Sequence, residues 1–318
     1  FGKNMKYAHY KINYNLLYRL DSTDLLEEHL NLTKGCLKDN KFIESLGYWV
    51  YTNKSGRVIE SPTIELKKIQ KKLQRCLSEI EFPNWVISCR KKVSYINNAE
   101  MHSKNNYIVT LDISKFFMNC SKSKVYNFFK THMKMSEDLS EIMTKLICKD
   151  DRLPTGSPSS QVIAYLSYID MFEEINSIAR SNNLTISLYV DDITISSKNV
   201  INHKIVDEII KKLNENGFTI NSKKRKYLGK NKNKKVTGVI IDKNNNLKVP
   251  NSLRLSVITL FEDIKKLNIN PNNKLHRSKV KSLRGKLNSC RAIEPNIFSN
   301  IHNQLSKIEK KLAKYKCN

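Results

Sequence analysis

The stretch of sequence that decides the fold is N-Y-I-V-T-L-D-I-S-K-F-F, residues 106–117. Apolar side chains at Val109, Leu111 and Ile113 alternate with the positions between them, as they do in a β-strand. The strand is apolar enough to be buried, yet Asp112 stands near its carboxyl end. An acidic side chain is unexpected at that point in a buried strand.

A hairpin is predicted farther along the chain, at T-I-S-L-Y-V-D-D-I-T-I-S, residues 185–196. Two alternating β segments are separated only by Asp191 and Asp192, which places two adjacent carboxylates at the tip of a tight turn. An isolated Asp-Asp pair is commonly no more than a solvated turn. Asp112 changes that interpretation, because neighbouring strands can bring a third carboxylate within a few ångströms.

Three clustered carboxylates repel one another unless cations neutralise them. Two Mg²⁺ ions about 3.5–4 Å apart would resolve the repulsion. One ion would lower the pKa of an attacking hydroxyl, and the other would hold a leaving pyrophosphate. The predicted chemistry is nucleotidyl transfer.

The charge balance favours a polyanionic partner. The chain has 318 residues, and 56 Lys and Arg against 30 Asp and Glu leave a net charge of +26. With 40% hydrophobic residues it is too apolar for a disordered tail and long enough for about two domains. Nucleic acid is the expected partner. The alternative is a Lys-rich codon bias, with the charges only solvating the surface.

The composition also bears on the compartment. No apolar run approaches the roughly 20 residues of a membrane span, and the first ten residues lack the apolar core of a signal peptide. The seven cysteines are scattered without a C-x-x-C pair. We expect reduced thiols in a cytoplasm, and neither membrane insertion nor export.

Other segments show clear periodic patterns. They predict a hairpin at 47–60 that turns at Gly56, a helix at 61–82 with Ser61 as N-cap and Pro62 at its first position, a helix at 202–216 ended by Gly217, a strand-like segment at 218–220, and helices after Pro250.

Four motifs, taken in order, resemble those of reverse transcriptases. They are L-D-I-S-K-F-F at 111–117, L-P-T-G-S-P-S-S at 153–160, Y-V-D-D at 189–192, and G-F-T-I-N at 217–221 followed by Lys224. The resemblance extends from about residue 48 to 248 and implies an α+β right-hand polymerase with fingers, a palm built on an antiparallel sheet, and a helical thumb. The implied subdomains are a helical N-terminal extension at 1–47, fingers at 48–106 and 121–153, a palm at 107–120 and 154–248, and a thumb at 249–318.

Further signals resemble the retron branch of this family, bacterial enzymes that copy part of their own noncoding RNA into single-stranded DNA. N-A-E-M-H at 98–102 is similar to its N-A-x-x-H signature, and V-T-G at 236–238 to its V-T-G signature. R-V-I-E-S-P at 57–62 resembles the retron fingers.

The resemblance assigns Asp112, Asp191 and Asp192 as catalytic metal ligands. It also implies nucleotide-binding roles for a second group: Phe117 against the sugar 2′ position, Gly156 at the backbone nearest the nucleotide, Arg57 and Arg90 at the triphosphate, and Lys224 near the leaving group. The alternatives are a core phenylalanine, a glycine that only makes a turn, surface arginines, and a lysine that contacts the nucleic-acid backbone.

A basic segment suits contact with RNA. From Gly217 to Ile241 there is no acidic residue, and eight lysines and arginines surround Tyr227. The alternative is a flexible lysine loop, and His102 would equally suit a purely structural role. The predicted RNA-binding residues are Asn98, His102, Lys226, Tyr227, Lys235, Val236, Thr237 and Gly238.

Four positions depart from the family pattern. Thr155 stands where Gln is usual, Gln161 where Pro is frequent, Val190 where Ala is common, and Arg225 where Thr often follows the lysine. None of them removes a metal ligand.

The expected function is that of a retron reverse transcriptase in the bacterial cytoplasm. It would use two Mg²⁺ ions and dNTPs on its cognate noncoding RNA, primed from a guanosine 2′-hydroxyl, to make single-stranded DNA. Expected partners are that RNA, its DNA product and an effector protein of an anti-phage system, with oligomers possible. One alternative is a group II intron-like or diversity-generating reverse transcriptase. Another is a scaffold that binds RNA and DNA and regulates the effector.

Overall fold

The computed structural model describes residues 10–267 and 269–314. The chain divides into two compact units. Unit 1 contains the residues up to 94 and 109–227, and unit 2 contains 95–108 and the residues from 228 onward. These boundaries differ from those of the predicted subdomains, which remain predictions. Within the described ranges, no helix has both the length and the apolar character that a bilayer crossing requires.

The regular elements follow one another along the chain in both units. The helices are α1 (Thr23–Leu30), α2 (Asn40–Ser45), α3 (Ile64–Leu77), α4 (Tyr95–Ser103), α5 (Phe116–Asn119), α6 (Lys122–Asn127), α7 (Glu137–Ile147), α8 (Ser160–Ser167), α9 (Ile169–Ser181), α10 (His203–Glu215), α11 (Asn251–Lys265), α12 (Lys274–Ile293) and α13 (Ser299–Lys314). The strands are β1 (Tyr48–Thr52), β2 (Val58–Pro62), β3 (Tyr107–Asp112), β4 (Thr185–Tyr189), β5 (Asp192–Ser197), β6 (Lys226–Leu228), β7 (Lys234–Val236), β8 (Val239–Ile241) and β9 (Leu247–Lys248).

A four-stranded sheet in the order β4-β5-β3-β6 lies beside the helices of unit 1. The two central strands are the ones predicted around Asp112 and after Asp191, and β3 ends at Asp112 as expected. Their apolar positions are buried. Aromatic rings fill the space behind the strand end, with the centroid of Phe116 at 5.4 Å from Phe218 and 6.4 Å from Phe172.

Two local predictions need correction. Ser61 and Pro62 are the last residues of β2, and the following helix begins at Ile64, two residues after Pro62, with Thr63 as N-cap. Pairing with β1 extends the strand, and that tertiary contact outweighs the local helix-start signal. The segment 218–220 forms only an isolated bridge between Ile220 and Ile113. It lies between the left-handed Gly217, at φ +83°, and a turn in which Asn221 accepts from the N–H of Lys223, so three residues are left for pairing.

The N-terminal segment is part of the unit 1 core. Tyr10 and Leu17 are fully buried. The hydroxyl of Tyr10 lies 2.6 Å from that of Tyr165 and donates to the carboxylate of Glu173. Burial, followed by the bond to Glu173, raises the pKa of Tyr10, so the phenol stays protonated.

Unit 2 packs a small sheet and α4 against the C-terminal helices. The sheet order is β7-β8-β9, and both neighbouring pairs are antiparallel. In the amino-acid sequence, Val280, Leu283 and Leu287 recur at steps of three and four, which places them on one side of a helix. That side of α12 is buried in one core with Val236 and Phe261. The sequence pattern therefore located the core-facing side of α12 correctly.

Candidate active site

The predicted meeting of strand and hairpin is confirmed. The backbone N–H of Ile113, immediately after Asp112, donates to the carbonyl of Asp191 at 2.9 Å. The carboxylates lie within electrostatic reach, because the charge of Asp112 raises the pKa of Asp191 and the charges of Asp191 and Asp112 raise the pKa of Asp192. Residues some 80 positions apart in sequence therefore form one acidic centre.

The hairpin tip differs from the prediction in detail. Tyr189 pairs with Asp192, so the two turn residues are Val190 and Asp191, and Asp192 is the first residue of β5. Val190 has φ +59°, a left-handed conformation that costs a β-branched residue of order 1–3 kcal/mol. Its N–H donates to the hydroxyl of Ser88 at 3.0 Å, which helps to hold the turn in place.

The segment before α4 supports the same hairpin, and the sequence patterns did not indicate this. The N–H of Ile87 donates to the carbonyl of Leu188 at 2.9 Å. The N–H of Leu188 in turn donates to the carbonyl of Trp85 at 2.8 Å. A short parallel bridge joins Val86 to Leu188. Only one residue of this segment, Val86, forms a β-bridge, so the segment is too short for its sequence to show the alternation of apolar and polar residues that is typical of a strand.

The electrostatics of the centre are those of crowded acids. Burial raises the pKa of Asp191, and the neighbouring charge of Asp112 raises it further. Burial and then the charges of Asp191 and Asp112 raise the pKa of Asp192 from 3.8 to about 6. Each shift reports that negative charge is disfavoured here until a cation compensates it.

Lys224 supplies one such positive charge. Its Nζ donates to Oδ1 of Asp112 at 2.7 Å, and this bond raises the pKa of the lysine. Two backbone hydrogen bonds hold the segment of Lys224 beside the end of β3. The N–H of Ser114 donates to the carbonyl of Thr219, and the N–H of Asn221 donates to the carbonyl of Asp112, both at 2.8 Å. The fourth motif thus carries its lysine to the acidic centre.

The donor set suits a hard divalent cation. Among the residues that the structure describes, no three His, Cys, Asp or Glu side chains are already arranged around a metal position. Lys224 occupies one oxygen of Asp112. Mg²⁺ commonly takes only one or two protein carboxylates together with water and substrate phosphates. The three carboxylates can therefore supply the protein ligands of Mg²⁺ without already surrounding a metal position.

Of the other predicted nucleotide-binding residues, Arg57 lies within electrostatic reach of the acidic centre, whereas Arg90 and Phe117 contact other parts of the protein. Arg57 is exposed, and its charge lowers the pKa of Asp191, so it lies within electrostatic reach of the centre. The guanidinium of Arg90 donates to the carbonyl of Asn84 at 3.1 Å. Phe117 is half-buried, with its ring centroid 5.5 Å from that of Phe116.

Gly156 is needed for a reason other than the one predicted. A Cβ built there would lie 2.5 Å from the carbonyl oxygen of Glu60 and 2.8 Å from its carbon. The space beside the glycine is therefore filled by the backbone of β2 rather than left for a nucleotide. No sequence pattern indicated this contact, because Glu60 is 96 positions away.

Gly156→Ala should destabilise the protein by about 1–3 kcal/mol, because β2 must move to admit the methyl group. Thermal unfolding measures the effect. Gly285→Ala is the matched control: no atom lies within 4 Å of a Cβ there. The site is inside α12, so that change should be stabilising by about 0.5–1 kcal/mol. Equal unfolding temperatures for the two variants would contradict the proposed close approach.

A buried ion pair fixes the Leu153–Ser160 loop against the same strand. Arg152 donates to both carboxylate oxygens of Glu60, at 2.7 and 2.8 Å, and the Glu60 side chain is only 4% exposed. The N–H of Thr155 also donates to Glu60 at 3.4 Å. These contacts hold the loop without touching the acidic centre.

The four departures from the family pattern all have partners. The hydroxyl of Thr155 donates to the carbonyl of Val58 at 3.0 Å. The side-chain amide of Gln161 donates to the carbonyl of Ser88, the residue that holds Val190. The remaining departure, Arg225, pairs with Asp207 at 2.9 Å.

In unit 2, the two retron-like signatures meet. Nδ2 of Asn98 donates to the hydroxyl of Thr237 at 3.3 Å, and that hydroxyl donates to the carbonyl of Tyr95 at 3.0 Å. Thr237 and Gly238 have φ +43° and +89°, and this turn lies between β7 and β8. Residues 139 positions apart therefore form one junction.

Burial changes the interpretation of several predicted RNA contacts. Asn98, His102 and Val236 are all 0% exposed, so their side chains position the junction and do not reach its surface. Burial lowers the pKa of His102 from 6.5 to about 3, which keeps the imidazole neutral. In the structure these signature residues therefore belong to a buried junction.

Three other predicted RNA-binding residues, Lys226, Lys235 and Tyr227, are more accessible. Lys226 and Lys235 are exposed. Tyr227 is 37% exposed, with its ring centroid 4.4 Å from that of His203 and 5.1 Å from the guanidinium carbon of Arg225. Because two groups already pack against that ring, it is less open to a base than the sequence suggested.

The chain belongs to the reverse transcriptase (RNA-dependent DNA polymerase) family, whose model matches residues 27–241. Among curated relatives, it is similar to the retron Se72 reverse transcriptase of Salmonella heidelberg (strain 579083-10), at 32% identity over 160 residues. It is also similar to the retron Ec86 reverse transcriptase of Escherichia coli, at 31% identity over 204 residues. These alignments cover 50% and 61% of this chain and 42% and 63% of the relatives, so less than two thirds of either relative is spanned.

A solved structure of telomerase from Candida albicans, in complex with a TWJ fragment of telomeric RNA, superposes with a TM-score of 0.51. The match covers 89% of this chain and 59% of the telomerase, at 11% identity, and concerns the fold alone. With the family match, the expected α+β right-hand polymerase fold is confirmed.

Proposed function

We propose that this protein is a retron-type reverse transcriptase, an RNA-directed DNA polymerase that copies part of its own noncoding RNA into single-stranded DNA. The observation that carries the proposal is the acidic centre, where Asp112, Asp191 and Asp192 meet beside Lys224. Family membership supports the reaction class.

In this proposal the three aspartates hold two Mg²⁺ ions. Bound Mg²⁺ lowers the pKa of an attacking hydroxyl and stabilises charge on the departing pyrophosphate. Lys224 adds positive charge beside the same carboxylates, and Arg57 can approach the triphosphate of a dNTP from the β1–β2 hairpin. Arg90 would have to leave the Asn84 carbonyl to take part.

The retron assignment is supported by the junction of Asn98 with Thr237, which brings both signature segments together, and by the retron relatives. Exposed Lys226 and Lys235, with Tyr227, would contact the cognate RNA. Asn98, His102, Val236, Thr237 and Gly238 would shape the surface that it meets.

Finer features belong to the same proposal. The first nucleotide would join a guanosine 2′-hydroxyl of the RNA, the fingers, palm and thumb would follow the boundaries given above, and the protein would work in a bacterial cytoplasm. The DNA product and an effector protein of an anti-phage system would be its partners, with oligomers possible.

The test is to purify the protein with its nucleic acid and treat that material with RNase and with debranching enzyme. A DNA whose mobility changes on debranching is the expected result. DNA synthesis from a free 3′ end would favour a group II intron-like or diversity-generating enzyme. Absence of synthesis from any primed RNA would refute the polymerase assignment.

Phe117→Ala should increase incorporation of ribonucleotides relative to deoxyribonucleotides by at least about tenfold. The ring of Phe117 is fixed against the buried Phe116, and losing it would remove the clash proposed for a 2′-hydroxyl. Single-nucleotide extension with each substrate measures the ratio. Met118→Ala, on the same helix and 44% exposed, is the control and should leave the ratio unchanged. An unchanged ratio for Phe117→Ala would refute its role.

A further inference from the structure

One side chain contacts the turn of the catalytic hairpin from a distant segment. Ser88 is half-buried, and its Oγ accepts from the N–H of Val190 at 3.0 Å. Val190 is the first of the two turn residues, and Asp191 is the second. A movement of the Val190 amide would therefore displace the carboxylate of Asp191 as well.

The turn does not keep this shape by its own preference. Val190 has φ +59°, a conformation that β-branched residues rarely adopt. Two-residue hairpin turns with a positive φ at their first residue favour glycine there. Since this chain has valine instead, contacts from other segments must hold the turn.

Ser88 is itself fixed on two sides. The N–H of the preceding residue, Ile87, donates to the carbonyl of Leu188 at 2.9 Å, which attaches the segment to β4. The side-chain amide of Gln161, in the first turn of α8, donates to the carbonyl of Ser88. These contacts keep the serine hydroxyl where the Val190 amide needs an acceptor.

Gln161 and Val190 are two of the four departures from the family pattern, and Ser88 contacts both. The serine carbonyl accepts from Gln161, and the serine hydroxyl accepts from Val190. In this chain, an unfavourable turn residue is thus accompanied by an amide that fixes its support. The same contacts join α8 to the catalytic turn.

We propose that Ser88 is a positioning residue for DNA synthesis. Its hydroxyl, held in place by Gln161, keeps Val190 in the left-handed conformation that directs the carboxylate of Asp191 toward the acidic centre. The proposal rests on the proposed function for the reaction. Its structural content, that Ser88 holds the turn, can be tested without that reaction.

Amide hydrogen exchange in the metal-free protein tests the structural content. Ser88→Ala removes the acceptor of the Val190 N–H, so this amide should exchange at least about tenfold faster. NMR of protein labelled at the valine nitrogens measures the rate. Ser197→Ala is the matched control: Oγ of Ser197 accepts from the N–H of Asn199 at 3.1 Å, at the other end of β5, and its loss should not affect Val190.

Steady-state DNA synthesis tests the effect on catalysis. Ser88→Ala should lower kcat by about tenfold or more, because small misplacements of a catalytic group have effects of this size. The KM for dNTP should change by less than about twofold, since no contact with the nucleotide is removed. Ser88→Thr keeps the hydroxyl and should retain most of the wild-type kcat, and Ser197→Ala should retain all of it.

Val190→Gly provides a second comparison, because glycine adopts a positive φ without strain. In the Val190→Gly background, Ser88→Ala should lower kcat by at most about threefold, so the two substitutions should not be additive. Gln161→Met removes the amide at similar size. It should lower kcat in the wild type and add little to the effect of Ser88→Ala.

Unchanged exchange of the Val190 amide in Ser88→Ala would overturn the proposal. Equal losses of kcat for Ser88→Ala in the wild type and in the Val190→Gly background would overturn it too, as would equal losses for Ser88→Thr and Ser88→Ala. If the wild-type protein makes no DNA from any primed RNA, the proposed function fails, and the exchange experiment still decides whether Ser88 holds the turn.

Discussion

Asp191→Asn should lower the rate of DNA synthesis by at least about 10³-fold. The substitution removes one negative charge from the set proposed to hold Mg²⁺, and a loss of about 4 kcal/mol of transition-state stabilisation corresponds to that factor. The side chain stays the same size, so the hairpin should keep its shape. Primer extension on an RNA template measures the rate.

The same substitution should leave the unfolding temperature at or above that of the wild type. Burial and the neighbouring carboxylate disfavour the charged form of Asp191, so removing its charge relieves repulsion in the folded state. Asp263→Asn is the control: the residue is exposed on α11 and should keep full activity. Undiminished synthesis by Asp191→Asn would refute the acidic centre as the catalytic site.

Arg152→Met should destabilise the protein by about 3 kcal/mol and reduce activity as well. It leaves the carboxylate of Glu60, 4% exposed, without its bidentate partner, and the positive charge that remains beside it is that of Lys149, at 3.4 Å. The Leu153–Ser160 loop and β2 would both lose a fixed contact. Chemical denaturation measures the change.

Lys91→Met is the matched control, because it breaks an ion pair with Glu79 in which both side chains are more than 60% exposed. Its cost should be about 1 kcal/mol at most. Replacing Glu60 by Leu together with Arg152→Met should cost less than Arg152→Met alone, since no unpaired buried charge remains. Similar losses for Arg152→Met and Lys91→Met would contradict this account.

The stability of the Glu60 pair should also depend on pH. Arg152 lowers the pKa of Glu60 below its usual 4.5, so the folded protein holds the carboxylate charged more readily than the unfolded chain does. The contribution is complete above about pH 4.5 and is lost as pH falls through the folded value. Arg152→Met should lack that acid-dependent loss.

Periodicity and motif order were enough to predict the acidic centre. Val109, Leu111 and Ile113 alternate clearly enough to define β3, and the run around Asp191 defines the hairpin, so the strand end and the turn could be placed from the amino-acid sequence alone. The fold class followed from the same motifs. Both depend on local patterns that a single sequence displays.

The contacts that hold the centre in place could not be predicted. Ser88 supports Val190 across 102 positions, and Glu60 meets Arg152 across 92. Such pairings depend on where the chain folds back, and no period or motif records them. For the same reason, the sequence left open whether Asn98 and His102 have a structural role or contact RNA, since polar residues in a helix give no sign that another segment covers them.

The turn at Val190 has a consequence for how the protein reaches its native state. A left-handed valine does not close a hairpin by its own preference, so an isolated peptide spanning 185–196 would not be expected to hold this shape. Ser88 and Ile113 must arrive from distant segments first. We therefore expect the acidic residues to come into register late on the folding pathway, after the surrounding sheet and its neighbours have condensed.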